Sequence, residues 1–365
     1  MLKRLYIDNF RCFVNFEYKP ERKQLLLGAN GSGKSSLLDA ILFVKWFIEG
    51  GENRFTQSTR TRWEPEPTQV VELEAALDDK AYLYRVEIHY SPDEHLPAVN
   101  LERLTVSGMR AFELTRGEIR FFSNDGRQAS TLKWKRTESA LRLAQQSNAH
   151  VGRFIDWLDS LHCFQVDPYK NVMEERAETE DALPEYDLAN LAPWYRHLLQ
   201  IDPEANGRFL SALQETLNGF QTLRFSTEED GVRKLRAEFS TEGKKRIKFS
   251  LSELSEGQRM LIGLYMILHF VVAKGETVIL DEPENFISLR EIQPWLLAAE
   301  ATVDDSKGQL ILISHHPEIL NQWAQEDGLR FFREGNGHVR TERFKSDYEG
   351  LLQPSELIAR GWENE

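Results

Sequence analysis

The stretch LLLGANGSGKSSLLDAIL, residues 25–42, reads as a strand, a tight turn and a helix. Within it, Gly28-Ala29-Asn30-Gly31-Ser32-Gly33-Lys34-Ser35 satisfies the pattern G-x-x-x-x-G-K-S/T. Glycines let backbone amides curl around phosphates with no side chain in the way. The helix that begins here points its positive end at the same place. Lys34 can reach the β and γ phosphates, and the Ser35 hydroxyl can ligate magnesium. The flanks supply the required context: Lys23 to Leu27 leads in, and Leu37 to Phe47 is apolar on most sides.

The bulk composition narrows the remaining classes. The 365 residues suit one large lobe or two intertwined ones. A net charge of −13 excludes a basic nucleic-acid coat, so any DNA contact needs a local basic patch. Cys12 and Cys163 are the two cysteines, too few for a disulfide framework or zinc cluster, which points to a reducing cytoplasm. The opening MLKRLYIDNFRCF lacks the apolar stretch of a signal peptide. The longest mostly apolar run, Met260 to Ala273, is too short to span a bilayer. The expectation is a soluble chain without direct membrane insertion.

Outward from the glycine turn, Leu2 to Ile7 and Asn15 to Tyr18 suit short strands, and 50–67 reads as a loop. From Gln69 to Trp134 the runs VVELEAAL, YLYRVEIHY, ERLTVSG, FELTRGEIRFF and TLKWKR alternate with period two, predicting an antiparallel meander. Residues 137–218 switch to helical spacing, with apolar faces over Val151–Leu161, Leu191–Leu199 and Phe209–Phe220. The acidic EERAETEDALPEYD, Glu174 to Asp187, reads as a mobile solvated loop or a regulatory one. Strands near 221–226 and 233–250 precede a helix–strand–helix–strand pattern. RFFREGNGHVRTERF then reads as a hairpin. The tail Pro354 to Ile358 is a capped short helix ending at Gly361, with Trp362 beyond. It either packs on its own core or docks a partner.

Three further motifs carry chemistry. Thr277-Val278-Ile279-Leu280-Asp281-Glu282 is a buried parallel-type strand ending in two acids. Asp281 is placed to hold magnesium through water, and Glu282 to orient and deprotonate an attacking water. Leu254-Ser255-Glu256-Gly257-Gln258-Arg259 contains a capping box that starts a helix, and so a second phosphate site. One nucleotide does not need two such sites, and the economical explanation is that this one serves the nucleotide of a second subunit; the bland reading is a plain helix cap. Leu310 to Ile313, followed by Ser314-His315-His316-Pro317, is another buried strand with polar residues at its end. His315, ahead of His316, is the candidate to contact and sense a γ-phosphate; the bland reading is a strand–loop junction.

In this order, GANGSGKS, LSEGQ, ILDEPE and SHH resemble the ABC-type ATPase fold. The likeness is to its soluble branch, with SMC proteins, RecF and the stand-alone AAA-labelled ATPases of bacterial genomes. YIDNFRCF, in which Asn9-Phe10-Arg11 follows the first strand, resembles that branch's opening. The resemblance covers 1–48 and 250–335. It implies an α/β P-loop NTPase with a mixed sheet, an antiparallel β lobe and a helical insertion. The boundaries are then 1–136 for the first ATPase lobe, 137–220 for the insertion, 221–345 for the second lobe and 346–365 for the tail.

The resemblance also implies two heads with ATP between them. Lys34 and Ser35 act in cis, and Ser255 and Gly257 in trans. The candidate nucleotide contacts are Arg11, Asn30, Gly31, Ser32, Gly33, Lys34, Ser35, Ser36, Ser255, Gly257 and Gln258. The metal candidates are Ser35, Asp281 and Gln165, and the catalytic ones Glu282 and His315. Gln165 is the first candidate for the family's glutamine that links nucleotide to helical lobe, and Gln57 the second. The family's D-loop maps near Asn285 to Leu289, where NFISL departs from the usual pattern.

The branch decides the job. A transporter signature follows its glycine turn more closely than the 220 residues from Ser35 to Ser255, and an SMC clamp needs long coiled coils. DEPEN followed by SHHPE is closer to ATPases of phage-defence and toxin-like operons: the Septu, PARIS and overcoming-lysogenisation families. Only 49 residues follow His316, too few for the Toprim-type nuclease of the last of these families, so the expectation is that nuclease activity, if there is any, belongs to a partner protein. The expectation is a homodimerising ATPase using ATP and Mg2+ that regulates a nuclease or toxin. The alternatives are a RecF-like repair ATPase that binds DNA directly and a slow ATP-bound scaffold. Basic residues for DNA are Lys133, Lys135, Arg136, Lys244 to Lys248, Arg54, Arg60 and Arg62. These equally suit solvated strand edges.

Overall fold

The apolar run before the glycine turn and the alternating run after residue 69 end in different sheets. The computed structural model describes residues 1–50, 55–91, 97–169, 176–227, 233–240, 245–333, 335, 337–345 and 352–361. Arg54, Lys244, Glu174 and Trp362 of the readings above lie outside them. The chain opens with β1 (Leu2–Asp8), β2 (Phe16–Tyr18), β3 (Lys23–Leu27) and α1 (Lys34–Ile48). Then come β4 (Thr68–Leu77), β5 (Lys80–His89), β6 (Ala98–Val106), β7 (Met109–Thr115), β8 (Glu118–Phe122) and β9 (Gln128–Lys133). These are followed by α2 (Leu141–Ala144), α3 (Ala149–Asp159), β10 (Leu161–Phe164), α4 (Leu191–Ile201) and α5 (Pro203–Thr216). Next are β11 (Phe220–Thr227), β12 (Arg233–Ser240), β13 (Arg246–Ser250), α6 (Glu256–Phe270) and β14 (Thr277–Asp281). The chain closes with α7 (Leu289–Asp305), β15 (Gln309–Ile313), α8 (Pro317–Asp327), β16 (Gly328–Arg333), β17 (Val339–Arg343) and α9 (Pro354–Arg360).

Two compact units divide these elements: Met1–Leu161 with Asp327–Phe344, and His162–Glu326 with Lys345–Glu365. In the first, the meander β4 to β9 is antiparallel throughout, and β1 and β2 add to its β4 edge. Alternation explains its two faces. Along β5, Tyr82, Tyr84, Val86 and Ile88 are buried, and the residues between them are not. Three of its turns are two-residue loops with both φ positive: Asp78-Asp79, Ser107-Gly108 and Arg116-Gly117. Such turns match the twist of the strands they join. The last splits FELTRGEIRFF into β7 and β8, where the period-two pattern read as one strand.

On the more exposed face, arginines and glutamates interlock across strands. Arg4 pairs with Glu72 and Glu74, Arg85 with Glu72 and Glu87, and Glu113 with Arg103 and Arg120. On the inner side, Glu102 is fully buried. It accepts hydrogen bonds from Tyr84 Oη (3.0 Å), Ser139 Oγ (2.5 Å) and Ala140 N (3.0 Å), which fastens the approach to α2. Burial pushes its carboxyl up to about 7 from an ordinary 4.5, with the three donors opposing the rise. The native site therefore favours the neutral acid. That stability is fully present below pH 4.5 and is lost as pH rises through about 7. Against Glu102→Gln, the wild type is expected to lose on the order of 3 kcal/mol across that window. Denaturant melts at several pH values check this, and parallel pH profiles for the two proteins would refute it.

The same unit holds β3 parallel to β16, with β16 antiparallel to β17, the hairpin expected from RFFREGNGHVRTERF. In the second unit the strand order is β10-β14-β15, with β14 parallel to β15 from Thr277↔Gln309 to Asp281↔Ile313. Every residue of β14 and β15 is buried, which is why both read as unbroken apolar runs. A three-stranded sheet β11-β12-β13 resolves the single run expected over 233–250 into two strands. The described part of the acidic segment is anchored. Ala177 N donates to Arg233 O (2.9 Å), Asn190 Nδ2 to Asp181 (2.8 Å), and Arg196 pairs with Glu180 (3.1 Å). Helix α9 packs on its own unit through buried Leu357, and Ser355 N donates to Asn321 Oδ1 (3.0 Å).

Candidate functional site

In the first unit, β3 delivers the chain into the glycine turn at Gly28, whose φ is +142°. A Cβ there would stand 2.2 Å from the Phe331 carbonyl oxygen of β16, so only glycine fits. Gly33, at φ +109°, is walled by Cys12 Sγ and Val339 Cγ2, each 3.0 Å from where its Cβ would be. Gly31 has open space around it, and Ser32 N closes the turn on Ala29 O at 3.1 Å. The buried Ser32 Oγ has no hydrogen-bond partner among the described residues. Helix α1 then starts with no acidic residue in its first turn and no side-chain cap. Its first amides and positive end are thereby left to an anion.

Lys34 is the first residue of that helix and is 6% exposed. Its ammonium folds back over the loop and donates to Gly28 O (2.6 Å) and Ala29 O (3.2 Å). Asn30 and Ser35 are exposed beside it, and the Ser36 hydroxyl engages the Cys12 thiol, which burial pushes up. An unpartnered hydroxyl, an ammonium and free helix amides fit a polyphosphate.

Arg11 sits near the same helix. A bend with positive φ at Asn9 and Arg11 is pinned by Arg11 N donating to Thr59 O (2.7 Å). The guanidinium pairs with Asp39 on α1 and lies 5.7 Å from the rings of Phe10 and Phe43. Burial pushes the Asp39 carboxyl up, and Arg11 opposes the shift. Gln57, on the 3-10 turn Gln57–Thr59, accepts from Arg60 (3.2 Å).

The second unit carries the remaining candidates. Asp281 ends β14 and is 6% exposed. Glu282 follows at φ +49°, held by its amide on Ile313 O (2.8 Å), and Asn285 Nδ2 donates to its carboxylate (2.9 Å). Glu284, which sequence reasoning did not single out, is buried and accepts from Ser314 Oγ (2.6 Å) and His315 N (3.4 Å). Burial pushes its carboxyl up, and Glu282 adds to the rise. This pair ties the loop after β14 to the loop after β15. The motif DEPE displayed the residue, but only the parallel register shows what it meets.

The two histidines of that loop are now distinguishable. His316 Nδ1 accepts from Glu318 N (3.3 Å) at the start of α8, which fixes the ring as a cap, and burial lowers its affinity for a proton. His315 is exposed.

Ser255 and Gln258 form the expected capping box: Ser255 Oγ accepts from Gln258 N (3.2 Å), and Gln258 Oε1 from Ser255 N (3.0 Å). Gly257 faces the Phe286 carbonyl, which a Cβ would meet at 2.8 Å. Phe286, at φ +70° and 49% exposed, packs edge-on against Tyr169 (5.2 Å). The helix start at Ser255–Gln258 and the segment Asn285–Leu289 therefore touch. Gln165 is exposed just beyond β10, and His162 at the start of that strand bonds Glu276 just before β14 (2.8 Å). Gln165 and Asp281 thus leave neighbouring strands at the same end.

A family profile described as "AAA domain, putative AbiEii toxin, Type IV TA system" matches residues 25–321. The chain belongs to this AAA family. A second profile, the P-loop containing region of AAA domain, matches residues 2–46. The protein is therefore a P-loop ATPase, of a class that uses a nucleotide and typically Mg2+. No curated protein matches it. Among solved structures it is similar to the SmcHead bound to the C-winged helix domain of ScpA. That match has a TM-score of 0.54 at 13% identity, over 94% of this chain and 98% of that one. It is also similar to the Smc head domain with an extended coiled coil bound to the C-terminal domain of ScpA, from Pyrococcus furiosus. There the TM-score is 0.53 at 14% identity, over 99% and 98%. This AAA ATPase thus has the α/β fold of the SMC/ABC type. Among its described residues no helix is long and apolar enough to cross a membrane.

Proposed function

We propose that this ATPase binds ATP between two copies of itself and, in that state, regulates a separate toxin or nuclease in bacterial anti-phage defence. The observation that carries nucleotide binding is the glycine turn, where backbone amides, the orphan Ser32 hydroxyl and the Lys34 ammonium converge. Lys34 leaves the Gly28 and Ala29 carbonyls for the β and γ phosphates. Arg11, Asn30, Gly31, Ser32, Gly33 and Ser36 line the phosphate chain. Ser35, Asp281 and Gln165 are the residues that would hold a magnesium ion, which would supply positive charge to neutralise the phosphate oxygens. Glu282, aimed by Asn285, orients the attacking water and takes its proton, and His315 senses the γ-phosphate. From the second copy, Ser255, Gly257 and Gln258 present a helix start to the same phosphates.

The defence reading draws support from the family description, which links the AAA domain itself to a type IV toxin–antitoxin system. The similar Smc heads were solved with ScpA domains bound, which supports a protein partner on a head of this fold. Direct DNA binding has less behind it. Arg246 and Lys248 lie 3.8 and 3.9 Å from Glu238, Lys135 pairs with Glu138, and the sheet arginines are interlocked with glutamates.

The test is a native pull-down of Glu282→Gln with ATP and magnesium from its own host, alongside light scattering of the purified chain. The expected result is an ATP-dependent doubling of the 42.4 kDa mass and a stoichiometric toxin or nuclease. DNA with repair factors and no such protein would replace this reading with the RecF-like one.

A further inference from the structure

Glu284 is a buried acid that neither phosphate binding nor water activation uses. It lies in the loop after β14, two residues past Glu282, and is 8% exposed. One carboxyl oxygen, Oε1, accepts from Ser314 Oγ at 2.6 Å and from His315 N at 3.4 Å. The other, Oε2, is buried and has no hydrogen-bond partner among the described residues. An unpartnered buried oxygen costs stability. A side chain kept only to brace the fold would be more stable as a smaller neutral group.

The contacts of Glu284 reach both catalytic candidates of the second unit. Ser314 is fully buried; its hydroxyl donates to Glu284 and accepts from His316 N at 2.9 Å. The carboxyl thus grips the turn that carries His315 by one hydroxyl and one amide. On its own side, Asn285 N donates to Glu282 O (3.2 Å) and Ile287 N to Glu284 O (3.0 Å). These bonds fix Glu284 in one tight loop with Glu282. The parallel ladder ends at Asp281 beside Ile313, so Glu282 and Ser314 are the first residues past the paired ends. Beyond the Glu282 N bond to Ile313 O, the Glu284 side chain holds the two loops together. Hydrolysis is sensitive to such a link, because a misplacement of about 1 Å can cost on the order of a hundredfold in rate.

We propose that Glu284 is a positioning residue for ATP hydrolysis, one that aligns His315 with Glu282 through Ser314 and touches neither nucleotide nor water. This rests on the reading of Glu282 and His315 as the catalytic pair. The test is phosphate release and calorimetric titration with ATP and magnesium, on the full chain. The variants are Glu284→Ala, Glu284→Gln, Ser314→Ala and the double Glu284→Ala/Ser314→Ala. Glu284→Ala is expected to lower kcat about 10- to 100-fold and to leave ATP affinity unchanged. Glu284→Gln should restore most of the turnover, because its amide oxygen can accept the same two hydrogen bonds. The double variant should be no slower than the slower single one, because both remove one link. Wild-type turnover in Glu284→Ala would overturn the proposal. So would equal losses for Ala and Gln, which would mean that the carboxylate itself takes part in the chemistry. Losses that multiply in the double variant, or a fall in ATP affinity that matches the fall in kcat, would do the same. Should Glu284→Ala fail to fold, Ser314→Ala carries the test: turnover should fall with affinity kept, and wild-type turnover overturns the proposal. Wild-type turnover in Glu282→Gln would instead remove the catalytic pair itself.

Discussion

Lys34→Ala is expected to weaken ATP binding by about a hundredfold or more. A hydrogen bond to a charged group contributes roughly 1.5–3 kcal/mol, and each 1.4 kcal/mol is tenfold in affinity. Two such bonds to phosphate oxygens would exceed a hundredfold, but the ammonium is not idle beforehand. It donates to Gly28 O and Ala29 O, and those contacts are given up on binding, which offsets part of the gain. Titration of both proteins with ATP and magnesium measures the difference. Thermal melts run alongside separate it from damage to the turn, because Lys34 also braces the loop it springs from. An unchanged affinity would sink the assignment of the turn.

The second large effect is on turnover. Glu282→Gln should lower ATP hydrolysis by about 10²- to 10⁴-fold, the usual contribution of a positioned general base, while ATP stays bound. Gln is the same shape and can still accept from Asn285, so the loop after β14 should keep its form. That loop is costly to build. Glu282 sits at φ +49° and Phe286 at +70°, a region that side chains other than glycine seldom occupy, at roughly 1 kcal/mol or more each. The backbone is held there by Glu282 N on Ile313 O and by buried Glu284 on Ser314. Steady-state phosphate release and nucleotide retention on a desalting column read the two halves of the expectation. Turnover equal to wild type would remove Glu282 from catalysis.

Some of this architecture is local and was therefore readable in advance. The glycine pattern implies a tight turn with no side chain in the way, and the turn is built with positive φ at Gly28, Gly31 and Gly33. Ser255 and Gln258 are three residues apart, so their capping box needs no distant partner. Alternation over 69–134 predicts a meander because each strand meets the next one in sequence. The misses involve partners far along the chain or a turn with a weak signal. Arg116-Gly117 reverses the chain inside what reads as a single alternating run, because a two-residue loop barely interrupts the period.

The chemical identity of the phosphate turn, the acids that close β14 and the helix start at Ser255 follow from residue type and short spacing alone. Those features are set by bonds that span only a few residues. Tertiary structure decided the rest. It put β1 on the antiparallel sheet beside β4, and set Phe331 and Val339 as walls of the turn some 300 residues from Gly28 and Gly33. It joined Glu284 to Ser314, and brought Arg333 against Trp63. Each of these contacts depends on which strand lies next to which and in what register. That choice is made by burial over whole faces and leaves no mark in the spacing of any short stretch.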